Sequence, residues 1–173
     1  MKQGFYAHNK ENERETKLIT RSSAIFHFIC NENINTEIHY LNYWLIKRGV
    51  SDIIRHITLR NMDGKKLFKT IDNVVTSGGQ KINVQTILEK NDITVDKGSI
   101  EVEFFSETNL FVAYPALVVR YVSENWHTFA HSSQRILADE SGDDNINSTS
   151  FWTEGNLTIQ SGKNVRAFVI VHN

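Results

Sequence analysis

Apolar and polar residues alternate one by one along most of this chain, and that two-residue period limits its fold more than any other feature. The clearest stretch runs from Asp52 to Ser106. It holds Ile53-Ile54-Arg55-His56-Ile57-Thr58-Leu59-Arg60, Lys66-Leu67-Phe68-Lys69-Thr70-Ile71, Lys81-Ile82-Asn83-Val84-Gln85-Thr86-Ile87 and Ser99-Ile100-Glu101-Val102-Glu103-Phe104. Each run is strand-length, and polar turns separate them. Successive side chains of a strand point to opposite faces, so such runs place one face in a core and the other in water. The pattern predicts an all-β protein: a mostly antiparallel β-sandwich of about nine to eleven strands. Its core takes Ile57, Leu59, Ile82, Val84, Ile100, Val102, Phe104, Val119 and Tyr121.

The punctuation of the chain divides it further. Residues 1–22 are polar and read as a flexible or irregular lead-in. Residues 23–138 form the sandwich domain. Residues 139–150 are an acidic loop or linker, and 151–173 a terminal β-hairpin. That hairpin belongs to the same sandwich or starts a second domain. Within the sandwich, strands are expected at Ser23–Cys30, Thr36–Arg48, Ile53–Asn61, Lys65–Ile71, Gln80–Leu88, Ser99–Ser106 and Leu110–Val122. A further one, Trp126–His131, continues towards Leu137. Asp63-Gly64 between two alternating runs is a hairpin signal, because glycine supplies the positive φ of a tight turn. Pro115 cannot donate to a ladder and marks an edge or a bulge.

Composition excludes several classes. The 173 residues carry 19 Lys and Arg against 20 Asp and Glu, so no basic excess points to a nucleic-acid partner. No apolar stretch reaches the roughly 18 residues that span a bilayer. No signal peptide is visible at the start. The expectation is a soluble, cytoplasmic chain without membrane insertion. The one cysteine, Cys30, closes the apolar run Ile25-Phe26-His27-Phe28-Ile29. It reads as a small buried hydrophobe, and its solitude suits a reducing compartment.

Candidate chemistry is sparse. His127 and His131 are spaced H-x-x-x-H, which on a helix would bring two imidazoles to one zinc. On a strand the same spacing spans about 13 Å, and Thr128 stands where a metalloprotease carries glutamate. Glu101 and Glu103 sit about 7 Å apart on one strand face, a separation compatible with a glycoside hydrolase pair. Alternate acids are equally the ordinary solvated face of a half-buried strand. Asp139, Asp143 and Asp144 cluster in one loop as a weak calcium candidate, without EF-hand spacing. Ser132 follows His131 with no nucleophile elbow around it. No cofactor motif stands out, so no cofactor is expected. Trp126, flanked by polar Asn125 and His127, is the aromatic best placed to be exposed, whereas Trp44 reads as core. Together with His127, His131 and Arg135 it forms the candidate ligand-binding set.

The stretch from about Ile53 to Ser123 resembles the sensory rhodopsin transducer family and related small bacterial β-sandwiches. The likeness lies in strand order: a hairpin at Ile57-Thr58-Leu59, Asp63-Gly64 and Leu67-Phe68, then the strands Gly79-Gln80-Lys81-Ile82-Asn83-Val84 and Gly98-Ser99-Ile100-Glu101-Val102, then Phe111 to Tyr121 with Pro115. It covers less than half the chain and carries no residue roles across. The Tyr40 to Trp44 stretch and the tail after Asp139 depart from it. The resemblance implies a non-enzymatic, oligomerising sandwich with sugar-binding or signalling relatives.

These readings lead to a non-catalytic binding or assembly module, with a carbohydrate ligand in surface-polysaccharide biology. The alternative is a structural or signalling homo-oligomer without a small ligand. A glycoside hydrolase or metal enzyme ranks below both. An edge strand left open within the chain would pair with another copy or dock onto a neighbouring domain.

Overall fold

The computed structural model describes residues 18–111 and 115–132. The chain forms two four-stranded antiparallel sheets packed face to face. In chain order the elements are β1 (Arg21–Ile29), β2 (Asn35–Leu41), α1 (Tyr43–Arg48), β3 (Ile54–Arg60), β4 (Lys66–Asn73), β5 (Gly79–Asn83), α2 (Val84–Lys90), β6 (Lys97–Phe105), β7 (Leu117–Val122) and β8 (His127–His131). The first sheet has the order β1-β6-β3-β4 and the second β5-β2-β7-β8.

Alternation does what the pattern requires. Ala24 pairs with Val102 and Val102 with Ile57; one step along, Phe26 pairs with Ile100 and Ile100 with Leu59. These rows line the inner face of the first sheet. From the second sheet Ile38 meets Ile82 on one side and Val119 on the other. All are buried, with Phe28, Phe104 and Leu117. Each such side chain contributes about 1.5–3 kcal/mol by leaving water. Gly98 faces Phe28 across the β1–β6 pair, and a Cβ there would lie 2.1 Å from the Arg60 carbonyl oxygen and 2.9 Å from the Phe28 ring. That position holds no larger residue without moving backbone.

The all-β sandwich and its inner rows match the sequence reading, with four corrections. Eight strands lie among the described residues, not nine to eleven. The expected long strand Thr36–Arg48 stops at Leu41 and becomes helix α1. Asn42 causes the switch: its side chain accepts from the Leu45 backbone N–H at 3.2 Å, capping the helix, while its amide donates to the Val74 carbonyl at 3.1 Å. Gly49, at φ 67°, ends the helix in the left-handed conformation, after basic Lys47 and Arg48. The strand expected over Gln80–Leu88 likewise turns into α2 after Asn83, whose side chain accepts from Thr86 N at 3.0 Å. The fourth correction concerns Leu110–Val122, where the strand begins only at Leu117, after Pro115.

Of the expected core, Tyr121 is half-buried, its hydroxyl donating to the His27 carbonyl across the sandwich at 2.7 Å. Cys30 is buried, and burial pushes its thiol pKa up, so little of it is thiolate at neutral pH. The Asp63-Gly64 turn forms as expected, with Gly64 at φ 78°. No helix among the described residues is long and apolar enough to cross a membrane.

Candidate functional site

Strand register decides which outward side chains of the second sheet stand side by side. Across β5, β2, β7 and β8 one row reads Asn83, Glu37, Arg120, Phe129, and the next reads Lys81, His39, Val118, His131. A shorter row holds Asn35, Val122 and His127. Neighbours in a row sit about 5 Å apart, one strand spacing.

Glu37 is the hub of this face. It is only 6% exposed although it points away from the core. Arg120 Nη1 donates to its Oε2 at 3.1 Å, and Lys81 Nζ to its Oε1 at 3.3 Å. His39 Nε2 lies 3.0 Å from Oε2; an ionised carboxylate only accepts, so that nitrogen carries the proton. Burial opposes the charge on Glu37, but the hydrogen bonds from His39 and Lys81 outweigh it and hold its carboxyl below the usual carboxylate range. One carboxylate therefore organises three nitrogenous side chains from three strands.

Beside this hub, β8 is the edge strand among the described residues. All five of its residues are exposed, on both faces, as an edge strand allows. Phe129 is 56% exposed; the Arg120 guanidinium lies 5.9 Å from its ring centroid and the His127 ring meets it edge-on at 5.3 Å. Trp126 stands in the β7–β8 turn, 48% exposed, its carbonyl accepting from Ser123 N at 2.9 Å. At the other end of the face a cavity of about 610 Å³ is lined by His39, Leu41, Tyr43, Gly79, Lys81 and Ala116, among others.

The candidate residues chosen from sequence fall out as follows. His127 and His131 share the outward face of β8 and flank Phe129, and Trp126 lies in the adjoining turn. Arg135 and the calcium candidates Asp139, Asp143 and Asp144 lie outside the described residues, as does the expected hairpin 151–173. Glu37, His39, Lys81, Arg120 and Phe129 were not singled out from sequence. The signal for them was there only as residues at the solvent parity of four separate runs, and register alone brings those runs together.

Glu101 and Glu103 are not an exposed acidic pair. They are 6% and 9% exposed on the outer face of the first sheet. Glu103 accepts from Arg21 through Nε at 3.0 Å and Nη2 at 2.8 Å, and Glu101 from Arg60 Nη1 at 2.9 Å. Their oxygens face guanidinium donors rather than a cleft. Among the described residues no three His, Cys, Asp or Glu side chains gather to hold a metal ion.

Compared with models of known families, with curated proteins and with solved structures, the chain matches none.

Proposed function

We propose that this chain is a non-catalytic carbohydrate-binding module, and that the outer face of the second sheet is its binding surface. The observation that carries this reading is Phe129 standing exposed between His127 and His131 and against Arg120. A sugar ring offers an apolar C–H face and a rim of hydroxyls. An exposed aromatic ring fits the first, and flanking imidazole and guanidinium donors fit the second. Trp126 in the adjoining turn extends the aromatic surface. The rigid β7–β8 ladder holds these groups in place without ligand, which lowers the entropy cost of binding.

Glycan-array screening tests the reading, with Phe129→Ala and Trp126→Ala as controls. Retained glycans that are lost from either variant support it. An empty array, or binding untouched by both changes, rejects it.

A second reading rests on β8 as well. Among the described residues it hydrogen-bonds β7 on one side and has no strand on the other. An open edge is a template for a strand of another copy, and that favours a structural or signalling homo-oligomer. Light scattering separates the two: a dilution-resistant oligomer without any glycan ligand supports the second, and a monomer at micromolar concentration removes it.

A further inference from the structure

The cavity on the outer face of the second sheet has an inner annex with a different chemistry. Tyr40, Trp44, Phe104, Pro115 and Leu117 wall a space of about 210 Å³ between the end of β2, helix α1 and the start of β7. Tyr40, Leu41, Tyr43 and Ala116 border both this annex and the outer groove, so the two adjoin at the end of the β2–β7 pair. The floor is fixed. Trp44 stacks at 5.0 Å and Tyr40 at 5.3 Å on Phe104, and Trp44 Nε1–H donates to the Leu110 carbonyl at 2.9 Å. Leu41 and Tyr43 at the mouth are exposed among the described residues and form an apolar rim.

We propose that this annex is a small-molecule site for an aryl carboxylate, the ring entering between Trp44 and Leu117 and the carboxylate turning out towards Lys81. Size and lining argue for the ring: an apolar cavity of about 150 Å³ is enough to take up benzene, and such spaces favour apolar occupants over water. The open groove over Gly79 argues for the carboxylate. Gly79 projects no side chain, and a Cβ there would meet nothing within 4 Å, so the groove beside Lys81 is open at that point. Lys81 is also the cation most easily released. Of the three partners of Glu37 it makes the longest contact and is the most exposed, at 54% of its side chain. When it swings to a ligand, His39 and Arg120 still hold Glu37, so no carboxylate is left unpaired. None of Trp126, His127, Phe129 or His131 lines the pocket, although Val118 on the groove is the register partner of His131.

Phenylacetate, 2-phenylethanol and acetate are the probes, and the indole N–H resonance of Trp44 is the readout, assigned with Trp44→Phe among the three tryptophans of the chain. Phenylacetate should move that resonance saturably. The neutral alcohol should bind up to about fivefold more weakly, the upper end of what one exposed charge contact supplies, and acetate should leave the resonance unmoved. Ala116→Leu, at an exposed position on the rim, should abolish the shift while the rest of the spectrum stays folded. Lys81→Gln should bring acid and alcohol to within about twofold of each other at low salt. The proposal is overturned if phenylacetate leaves Trp44 unmoved, if Ala116→Leu binds as the parent does, or if the alcohol matches the acid in the unmodified protein. Glycan binding is measured separately, so neither result depends on the other.

Discussion

The two sheets carry acid on their outer faces and treat it differently. On the first, two buried carboxylates, Glu101 and Glu103, meet two guanidinium groups, Arg21 and Arg60, and the neighbouring Ser23 and Thr58 are buried with them. On the second, the single carboxylate Glu37 meets Arg120, Lys81 and His39. On the first face each carboxylate is matched by a guanidinium. The second has more nitrogen donors than carboxylate oxygens can occupy, and beside them lie exposed aromatic carbon and an open groove. Identical alternation thus yields a closed face where charges balance and an open one where donors are in surplus. The surplus is what a ligand would use.

Breaking the closed face should cost most. Glu101→Ala leaves two arginines around an emptied, buried position, and unfolding free energy should drop by about 2–3 kcal/mol, towards the lower end for a buried pair because both arginines keep contact with water. Urea titration measures it. Glu37→Ala should lose less, about 1–2 kcal/mol, because Lys81 and His39 are already partly hydrated and recover water when the carboxylate is gone. If the two losses came out reversed, the contrast between closed and open faces would fail.

Acid sharpens the same comparison. The Glu37 carboxyl is held below its ordinary value in the folded state, so folding favours its ionised form. Its contribution is complete above the unfolded value, near about pH 4.3, and disappears as pH falls through the lower folded value. The stability gap between the protein and Glu37→Gln should therefore be constant from pH 7 to about pH 5 and shrink below about pH 4. A gap that widened with acid would contradict the hydrogen-bonding account of Glu37. Smallest in stability should be Trp126→Ala and Phe129→Ala, each within about 0.5 kcal/mol because both side chains stand in solvent. Their effect should fall on glycan affinity instead, by tenfold or more, as for an exposed aromatic anchor.

Where the sequence was misread, short-range capping overrode periodicity. Ile38, Tyr40, Asn42, Trp44 and Ile46 keep one parity and look like a continuing strand. Yet Asn42 caps a helix, Gly49 terminates it, and Ile46 ends up exposed while Trp44 is buried. Asn83 does the same before Val84 and Leu88, whose i, i+4 spacing places both in the core from a helix. Those caps were legible as Asn before, and Gly or Asn after, a six- or seven-residue run. Glu101 and Glu103 looked solvated because alternation reports which face a residue occupies, not what lies beside it there.

Alternation by itself determined that this chain builds sheets, which parity of each run is apolar, and therefore which residues make the core. It does so because a strand's side chains must alternate between water and a common interior. Only the tertiary structure decided that Lys81 and Arg120 meet at the Glu37 carboxylate, Arg120 from more than eighty residues away, and that a void opens beside Trp44. Register and sheet order are set by pairing between distant strands, and no local pattern encodes which strands will meet.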